Sequence, residues 1–480
     1  MYGLCQRYYP IFLTVLLVLA SYNIFYSLGT FPISSWDEAR HGVSAYEMLK
    51  KGNFLVNTYL NQIDYWNLKP PLSFWANMAG YKIAGYNTLG LRLFSAISAI
   101  LTIIFVAVFV NLKHGKLASL ISTLTLATCT QFLTDHSART GDADALFVFF
   151  FTTAILSLLL FKEKPIFLYM SGFAFALAFL TKSWHAGNIA AIICLYLLLT
   201  GSYKKLTYIN WILLFTFMFA PIFAWACIRY QYDGMEFFNN MIAYDLLKRS
   251  SNAIEGHIGG YSYYFLTLWN YFSFWLLLLI GLVLLYPFRE LSISKLKAEK
   301  ATYYLGLCLW IIVPILFFTF AKTKIRWYIL PVYPTLSVII GALSSKILLN
   351  GKTATRAALL FSILVVSLFH EWEIQTYLGN PPSKLHIRLI QNVQKIDDLK
   401  GYSLFVHNPK SPLKWTQNMV LASKLYGDLL IENGDVSDFL KRENALLLLR
   451  KGHDSEDIIN SNQLTIITSN KWGYIVRKNM

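Results

Sequence analysis

Two pairs of acidic residues stand at the ends of long apolar runs, where a carboxylate could do chemistry. Asp37 and Glu38 follow the first apolar run, and Asp142 and Asp144 directly precede a later one. A carboxylate beside a substrate can take a proton from a hydroxyl group or bind a cation. A structural alternative exists for the first pair, because acidic residues also cap helices and stabilise their first turns. For the second pair, the alternative is an ion pair with Arg139 that closes a helix turn.

A lysine between aromatic residues could supply the positive charge that an anionic substrate needs. In YWNLKPPLSFW, residues 65–75, two prolines follow Lys69 and restrict the backbone beside it. A lysine ammonium group is a compact point charge that pairs with phosphate. The alternative is a lysine that extends from the membrane interface toward water, and position alone does not separate the two.

More basic side chains stand next to other apolar runs. Lys182 lies in the short turn FLTKSWHAG, and Arg249 precedes a glycine-rich segment. Lys322, Lys324 and Arg326 alternate at the start of an apolar run, where they could clamp a phosphate or pyrophosphate group. The alternatives are an ordinary polar turn for Lys182 and binding of lipid head groups in general for the three alternating bases.

The composition indicates that these residues belong to a membrane protein. The sequence is 56% hydrophobic and 14% charged, with a mean hydropathy of +0.46, whereas about a quarter of residues in soluble domains are charged. Apolar runs of roughly 17 to 24 residues recur, as expected for membrane-spanning helices. The net charge of +16 resides mostly in short segments between these runs, so nucleic acid is not an expected partner.

Hydropathy predicts about eleven membrane spans, and the distribution of Lys and Arg predicts their orientation. The spans are expected at residues 10–28, 89–111, 117–133, 145–161, 166–181, 185–200, 208–228, 262–286, 302–320, 327–345 and 355–370. With the N-terminus in the cytoplasm, the short basic connections fall on the cytoplasmic side. They lie near residues 113–116, 162–164, 204–205, 289–300 and 346–356. The acidic and basic candidates named above then lie together at the outer face.

Two outer segments are expected to carry their own structure. In the first, EARHGVSAYEMLKKG and LSFWANMAGYKIAG have the spacing of short helices that lie along the membrane interface. After residue 371, strand-like and helix-like stretches alternate, which predicts a small α/β domain. The sequence therefore predicts an all-α polytopic transmembrane domain, residues 1–370, followed by an extracytoplasmic α/β domain, residues 371–480.

The sequence also limits the classes of function. Neither GxxxxGK[ST] nor a strand-linked GxGxxG occurs, so a nucleotide-binding site is not predicted. Three classes fit an anionic-lipid site at one membrane face: an enzyme, a transporter or flippase, and a scaffold that binds lipids. Transporters more typically show inverted repeats and charges at mid-membrane depth, which favours the enzyme.

Six segments, in order over about residues 30–340, resemble bacterial GT-C membrane glycosyltransferases. They are WDEARHGVSAYEMLKKGNFLVNTYLNQIDYWNLKPPLSFW, LRLFSAI, ARTGDADALFVFF, LAFLTKS, HIGGYSYYF and KIRWYILPVYPTL. The most similar groups are the lipid A aminoarabinose transferases and the protein O-mannosyltransferase-like families. The resemblance implies a GT-C catalytic domain in a bacterial inner membrane, which transfers a sugar with inversion at the extracytoplasmic face. The donor would be a polyprenyl (undecaprenyl) phosphate sugar, and the acceptor a lipid, glycan or protein.

The resemblance also implies roles for individual residues. Asp37 would be the catalytic carboxylate that deprotonates or orients the acceptor, and Glu38 would support it. Asp144, with Asp142 as its rival, would be the second acidic residue of the site. The positions implied to surround the donor phosphate are Lys69, Arg139, Lys182, Arg249, Lys322, Lys324, Arg326 and Tyr328.

The sequence departs from the aminoarabinose transferases at a position linked to metal. Those enzymes have a Glu directly before the Lys of the KPP motif, where it helps to hold a metal, and this chain has Leu68. His257 matches the other metal-linked position, and with Glu255 it could ligate a metal; a solvated loop is the alternative. The departure argues against such a metal site and against lipid A as acceptor. No cofactor is therefore assigned, and a divalent metal, the sugar and the acceptor stay open.

Overall fold

The computed structural model describes residues 2–34, 36–285, 299–393, 396, 399–407 and 415–479. In chain order the α-helices are α1 (Tyr2–Phe25), α2 (Asp37–Lys51), α3 (Leu72–Ala84), α4 (Thr88–His114), α5 (Lys116–Ala127), α6 (Thr130–Thr134), α7 (Asp144–Leu160), α8 (Ile166–Lys182), α9 (Gly187–Leu199), α10 (Tyr208–Asp233), α11 (Glu236–Asn240), α12 (Arg249–Ser251), α13 (Tyr263–Leu285), α14 (Glu299–Phe320), α15 (Val332–Asn350), α16 (Thr353–Gly379), α17 (Leu385–Val393), α18 (Gln417–Gly427), α19 (Val436–Lys441) and α20 (His453–Ser461). The strands are β1 (Thr58–Tyr59), β2 (Gln62–Ile63), β3 (Ser403–His407), β4 (Leu430–Ile431), β5 (Ala445–Arg450), β6 (Leu464–Ser469) and β7 (Gly473–Lys478). Three 3-10 helices (Ser183–Ala186, Ser202–Lys205 and Arg326–Ile329) and a π-helix (Met241–Lys248) complete the helical structure.

Eight helical segments of the described residues are long and apolar enough to cross a membrane. They are Gln6–Phe25, Thr88–His114, Ile166–Leu199, Tyr208–Asp233, Tyr263–Leu285, Lys300–Phe320, Val332–Asn350 and Thr353–Gly379. The chain is thus a multi-pass membrane protein, as predicted. Ile166–Leu199 contains two of the predicted spans, α8 and α9, which a 3-10 turn separates. The shorter apolar helices α5 and α7 coincide with two more, and the number of spans stays a prediction.

The chain forms two compact units, each of which is discontinuous in sequence. Unit 1 contains Met1–Tyr26, Leu68–Ser73 and Ser95–Gly379, and unit 2 contains Ser27–Asn67, Phe74–Phe94 and Asn380–Met480. The division of the chain at residue 370 stays a prediction. Unit 2 combines residues that follow the first helix with residues of the C-terminal part of the chain. Of the basic connection predicted at 289–300, residues 289–298 lie outside the described residues.

Close helix packing in unit 1 depends on small residues. A Cβ atom added to Gly341 of α15 would lie 2.5 Å from the carbonyl oxygen of Ala118 in α5, so the two backbones approach too closely for a larger side chain. Helices α7 and α8 pack against each other and are joined by a short connection. The first residue of α7 and the last residue of α8 therefore lie at the same end of this helix pair.

Unit 2 is built around a five-stranded sheet with the order β4-β3-β5-β7-β6. Strand β3 pairs in parallel with β4 and β5, whereas β7 pairs antiparallel with β5 and β6. On one side, apolar residues of the sheet share a core with those of α2, α3, α17 and α18.

Helix α2 packs into this core, and its predicted place along the membrane interface stays a prediction. The expected helix forms, but Ala39, Val43 and Met48 are buried in the unit 2 core. A Cβ on Gly42 would lie 2.8 Å from Leu421 of α18. Sequence spacing predicted the helix, because amphipathicity is local, but it did not identify the surface that covers it.

Candidate active site

A buried ion pair lies where α7 begins and α8 ends. The ammonium group of Lys182 donates a hydrogen bond to Asp144 Oδ1, and both side chains are more than nine-tenths buried. Asp144 is the first residue of α7 and Lys182 the last of α8. Each charge is therefore opposite in sign to the partial charge of its own helix end, which is a favourable arrangement. The predicted polar turn is thus a charge pair, and Lys182, rather than Arg139, is the partner that the structure gives Asp144.

Asp142 and His136 complete an acidic cluster around this pair. Asp142 is buried, and its Oδ2 lies 2.9 Å from Nδ1 of His136. The His136 ring stacks on the indole of Trp327, with ring centroids 3.5 Å apart. His136, Asp142 and Asp144 offer ligand atoms within 4.8 Å of one another. One imidazole and two carboxylates are ligands for a divalent cation such as Mn²⁺ or Zn²⁺, although Lys182 already supplies a competing positive charge.

Tyr328 and His185 form an aromatic wall beside Lys182. The ammonium group of Lys182 lies 5.2 Å from the centre of the Tyr328 ring. The His185 ring makes an edge contact with Tyr328, with centroids 4.6 Å apart. Both ring nitrogens of His185 are buried and have no side-chain hydrogen-bond partner among the described residues, and the backbone of Lys182 lies near the ring. Lys69 and Arg249 lie close enough to this ring, with Lys182, to act on it electrostatically.

Of the alternating bases, Arg326 has an acidic partner that was not predicted. Its Nε and Nη2 donate to the two carboxylate oxygens of Asp135 at 2.7 and 2.9 Å. This two-bond contact raises the pKa of the Arg326 guanidinium, so the charge is permanent. Arg249 pairs with Asp245 one turn earlier, at 2.9 Å. The backbone N–H of Lys322 donates to the carbonyl of Ser250 at 3.0 Å, which joins the two basic segments.

Lys324 makes a structural contact, and its predicted contact with a phosphate stays a prediction. Its ammonium group donates to the carbonyls of Phe318, Thr319 and Ala321, at the C-terminal end of α14. Burial of the group, followed by the charge of Lys322, lowers the pKa of Lys324. His257 contributes its backbone carbonyl, which accepts from the Lys324 N–H at 3.0 Å. His257 does not belong to the three-residue acidic cluster, the candidate metal group among the described residues.

Arg139 also makes structural contacts. Its buried guanidinium donates to the carbonyls of Asn23 and Ile24 through Nη1, and to that of Tyr26 through Nη2, at 2.7–2.9 Å. These carbonyls end α1 and have no partners within that helix. The structure therefore gives Arg139 the role of a helix cap, while its predicted contact with the donor phosphate stays a prediction.

In unit 2, Asp37 and Glu38 lie in the first turn of α2 but have different surroundings. Asp37 is half-buried. Glu38 is fully buried, and its carboxylate accepts hydrogen bonds from Arg92 at 2.6 and 2.9 Å. Glu38 also accepts from the backbone N–H of Ser34 at 2.7 Å. Glu38 therefore has a structural role as the ion-pair partner of Arg92 rather than as the predicted helix cap. Asp37 remains the candidate base; Ser35 lies outside the described residues.

A second charge pair follows on α2. Arg40 donates to both carboxylate oxygens of Asp64, at 2.9 and 2.6 Å, and its guanidinium stacks over the rings of Tyr59 and Trp66. The pair connects α2 to the segment that precedes Lys69. Arg40, although next to the acidic pair in sequence, therefore makes its ion pair with Asp64.

Three residues at or next to the candidate positions have left-handed backbone conformations. The φ angles are 66° for Trp36, 53° for His136 and 46° for Ser183. Such angles cost free energy for residues other than glycine, and they concentrate at functional sites. Each one lies at or next to a candidate residue: Asp37, the acidic cluster and Lys182.

Comparison with known proteins gives relatives for most of the chain. A family model described as dolichyl-phosphate-mannose-protein mannosyltransferase matches residues 68–225. Two uncharacterized proteins of Aquifex aeolicus are 31% and 30% identical over 68% and 67% of this chain, which corresponds to 62% and 71% of their own lengths. The chain therefore spans just under two thirds of the first of these relatives. An undecaprenyl phosphate-alpha-4-amino-4-deoxy-L-arabinose arabinosyl transferase of Photorhabdus laumondii is 26% identical over 83% of this chain and 72% of its own length.

The fold is shared with a solved structure over nearly the whole chain. The crystal structure of ArnT from Cupriavidus metallidurans bound to undecaprenyl phosphate matches with a TM-score of 0.72 and 15% identity, and the match covers 97% of each chain. The chain belongs to the GT-C superfamily of membrane glycosyltransferases. The GT-C resemblance predicted from the sequence is thereby confirmed.

Sequence reasoning about this GT-C chain missed several partners of its candidate residues. Arg92, Asp135 and Asp245 were not selected, although each is a charged residue near or within an apolar run. Arg92 was the easiest of the three to predict as an ion-pair partner, because an arginine inside the predicted span 89–111 needs a partner. His185 was seen in the Lys182 turn, but its unpartnered ring nitrogens are visible only in the structure.

Proposed function

We propose that this GT-C protein is an inverting glycosyltransferase that moves a sugar from a polyprenyl phosphate to an acceptor hydroxyl or amine. The observation that carries the proposal is the buried cluster of Asp142, Asp144 and Lys182 with cations near His185, within a GT-C chain. Similarity to an undecaprenyl phosphate-alpha-4-amino-4-deoxy-L-arabinose arabinosyl transferase and to ArnT bound to undecaprenyl phosphate supports a donor of this class. The acceptor stays open among lipid, glycan and protein.

The proposed chemistry assigns one task to each type of group. The acceptor oxygen or nitrogen attacks the anomeric carbon, and the bond from that carbon to the phosphate oxygen breaks. The phosphate leaves with the electron pair, and fixed cations stabilise its charge in a site of low dielectric constant. Lys69, Lys182 and Arg249 are the proposed cations, and Tyr328 adds a hydroxyl group. The resemblance implies that Asp37, a residue of unit 2, takes the proton of the acceptor, and a single displacement inverts the anomeric centre.

Several finer features belong to the same proposal. We place the reaction at the extracytoplasmic face of a bacterial inner membrane, with about eleven spans. A divalent cation, if the enzyme uses one, would be held by His136, Asp142 and Asp144 rather than by His257. Such a cation would supply positive charge next to the phosphate. The candidate metal position thus moves from the one that the resemblance implied.

His185 is the proposed addition to the phosphate contacts. A cavity of about 40 Å³ borders His185, Arg249 and Tyr328, and a group the size of one water needs roughly 10–15 Å³. A buried ring nitrogen without a partner loses free energy, and a phosphate oxygen in this cavity would accept its hydrogen bond.

Replacing His185 by Phe should raise the KM for donor about tenfold or more, because a hydrogen bond to a charged group contributes about 1.5–3 kcal/mol. The ring packing against Phe318 and Tyr328 would persist, so the melting temperature should change little. His185→Gln, which keeps an N–H donor, should recover part of the affinity. An unchanged KM in His185→Phe would show that the ring is only a packing element. The measurement is the initial rate against donor concentration.

Lys69→Ala should weaken donor engagement about ten- to hundredfold, because it removes a charged partner of the phosphate. The effect should appear in KM more than in kcat and should shrink at high salt. Lys82→Ala is the matched control, since Lys82 is an exposed lysine of α3. Equal KM values for the two variants would remove Lys69 from the proposed site.

The test of the function itself uses purified protein in liposomes with a panel of undecaprenyl phosphate-linked sugars. A transferase releases undecaprenyl phosphate and glycosylates an acceptor from a membrane extract. A transporter or flippase would move the donor between leaflets without consuming it. Release with any sugar of the panel supports the proposal, and leaflet exchange without release favours the transporter.

A further inference from the structure

A second cluster of basic residues lines a cavity in unit 1, at the other end of the helices that form the acidic cluster. The cavity has a volume of about 390 Å³ and is bordered by Lys113, Lys162, Lys300 and Lys346. These lysines come from the ends of α4 and α15, the start of α14 and the residues just after α7. Chain segments distant in sequence therefore bring four positive charges to one cavity.

The cavity is separate from the candidate active site. Helix α7 begins at Asp144 and ends at Leu160, next to the cavity. At 1.5 Å per residue, these two ends are about 25 Å apart. The Lys and Arg distribution predicts that the cavity end faces the cytoplasm, whereas Asp144 faces outward. The cavity is thus a different site near the opposite membrane surface.

The walls of the cavity present hydrogen-bond donors in a fixed arrangement. Lys346 donates from Nζ to the hydroxyl of Tyr304 at 2.8 Å, and Lys162 donates to the hydroxyl of Thr302 at 2.9 Å. These contacts hold the ammonium groups at the wall, and each ammonium group has three N–H donors. Lys300 is exposed at the rim.

The charge of the cavity lining favours an anion. Glu163 is the acidic residue of the described lining, where it pairs with Lys113. Four lysines against one glutamate leave an excess of positive charge. Leu159 and Tyr196 form a buried, largely apolar floor, which suits a ligand with both an anionic group and carbon atoms.

We propose that this cavity binds the phosphate group of an anionic glycerophospholipid head group. Basic cavities between membrane helices near the cytoplasmic surface bind such lipids through lysine–phosphate pairs. The volume exceeds that of a phosphate and leaves space for the glycerol part. A free phosphate ester has the same anionic chemistry, so the experiment must separate the two sources. The proposal does not depend on the proposed glycosyltransferase activity.

The test measures ligand binding to the full chain in a neutral detergent. The probes are dihexanoyl phosphatidylglycerol, dihexanoyl phosphatidylcholine, glycerol phosphate and inorganic phosphate. The variant is Lys162→Gln with Lys300→Gln, because both side chains are exposed and their replacement should not affect folding. Lys204→Gln with Lys205→Gln is the matched control, since these two lysines are exposed on the same predicted face but do not line the cavity.

The expected result is salt-sensitive binding of phosphatidylglycerol that weakens about tenfold or more in the cavity variant, since each lysine near a membrane surface contributes about 1 kcal/mol. The control variant should bind as the unmodified protein does. Equal binding of glycerol phosphate would assign the site to soluble phosphate esters. Equal affinities of the two variants for phosphatidylglycerol, or binding of phosphatidylcholine alone, would overturn the proposal. Donor release measured on the same samples reports the transferase separately.

Discussion

Asp37→Asn is expected to reduce kcat for sugar transfer about 10²–10⁴-fold, the usual contribution of a general base. The amide has nearly the shape of the carboxylate but cannot take the proton of the acceptor. Donor binding depends on cations rather than on this carboxylate, so the KM for donor should stay within a factor of about three. The measurement is the release of undecaprenyl phosphate with each variant at saturating donor.

The controls for Asp37→Asn separate chemistry from folding. Asp454→Asn changes an exposed aspartate of α20 in the same unit and should leave kcat unchanged. The melting temperature of Asp37→Asn in detergent should match that of the unmodified protein, because Asp37 is only half-buried. A variant that keeps full turnover would exclude Asp37 as the base.

The candidate residues could be identified from the sequence because charged residues are rare within and beside membrane spans. Asp144 and Lys182 both stood at the ends of apolar runs, where a charge costs free energy unless it has a function or a partner. Their pairing could not be read from the same pattern, because it depends on the packing of α7 against α8. Hydropathy gives the position of each residue along the membrane normal, but not which helices are neighbours.

Two of the candidate bases show a related limit. Arg139 and Lys324 were predicted to bind phosphate, which stays a prediction, and in the structure both donate to carbonyls at the ends of helices. A helix end has four carbonyls without partners, and a nearby cation satisfies them whether or not a ligand is present. Sequence alone shows the charge but not the unpaired carbonyls. Arg92 similarly donates to carbonyls that lie outside regular structure, those of Leu28 and Phe31 after α1, as well as to Glu38.

Glu38→Gln is expected to destabilise unit 2 by about 3–5 kcal/mol, because it leaves the buried Arg92 charge without its counter-charge. The side chains of Glu38 and Arg92 are 0% and 2% exposed, so water cannot replace the lost partner. The melting temperature of the full chain in detergent should fall by roughly 10 °C. Enzyme that remains folded at low temperature should keep most of its kcat, since this carboxylate is occupied by the ion pair.

A cycle with Arg92→Gln tests whether the ion pair itself is the cause. If Glu38 acts through Arg92, the double variant Glu38→Gln with Arg92→Gln should be more stable than the sum of the two single losses predicts, by about 0.5–3 kcal/mol. Additive losses would mean that the residues act independently. A Glu38→Gln variant with unchanged melting temperature but a hundredfold lower kcat would instead restore the catalytic role that the resemblance implies. Substitutions at these two adjacent carboxylates are thus expected to have different effects: at Asp37 the rate of sugar transfer falls, and at Glu38 the stability of the fold falls.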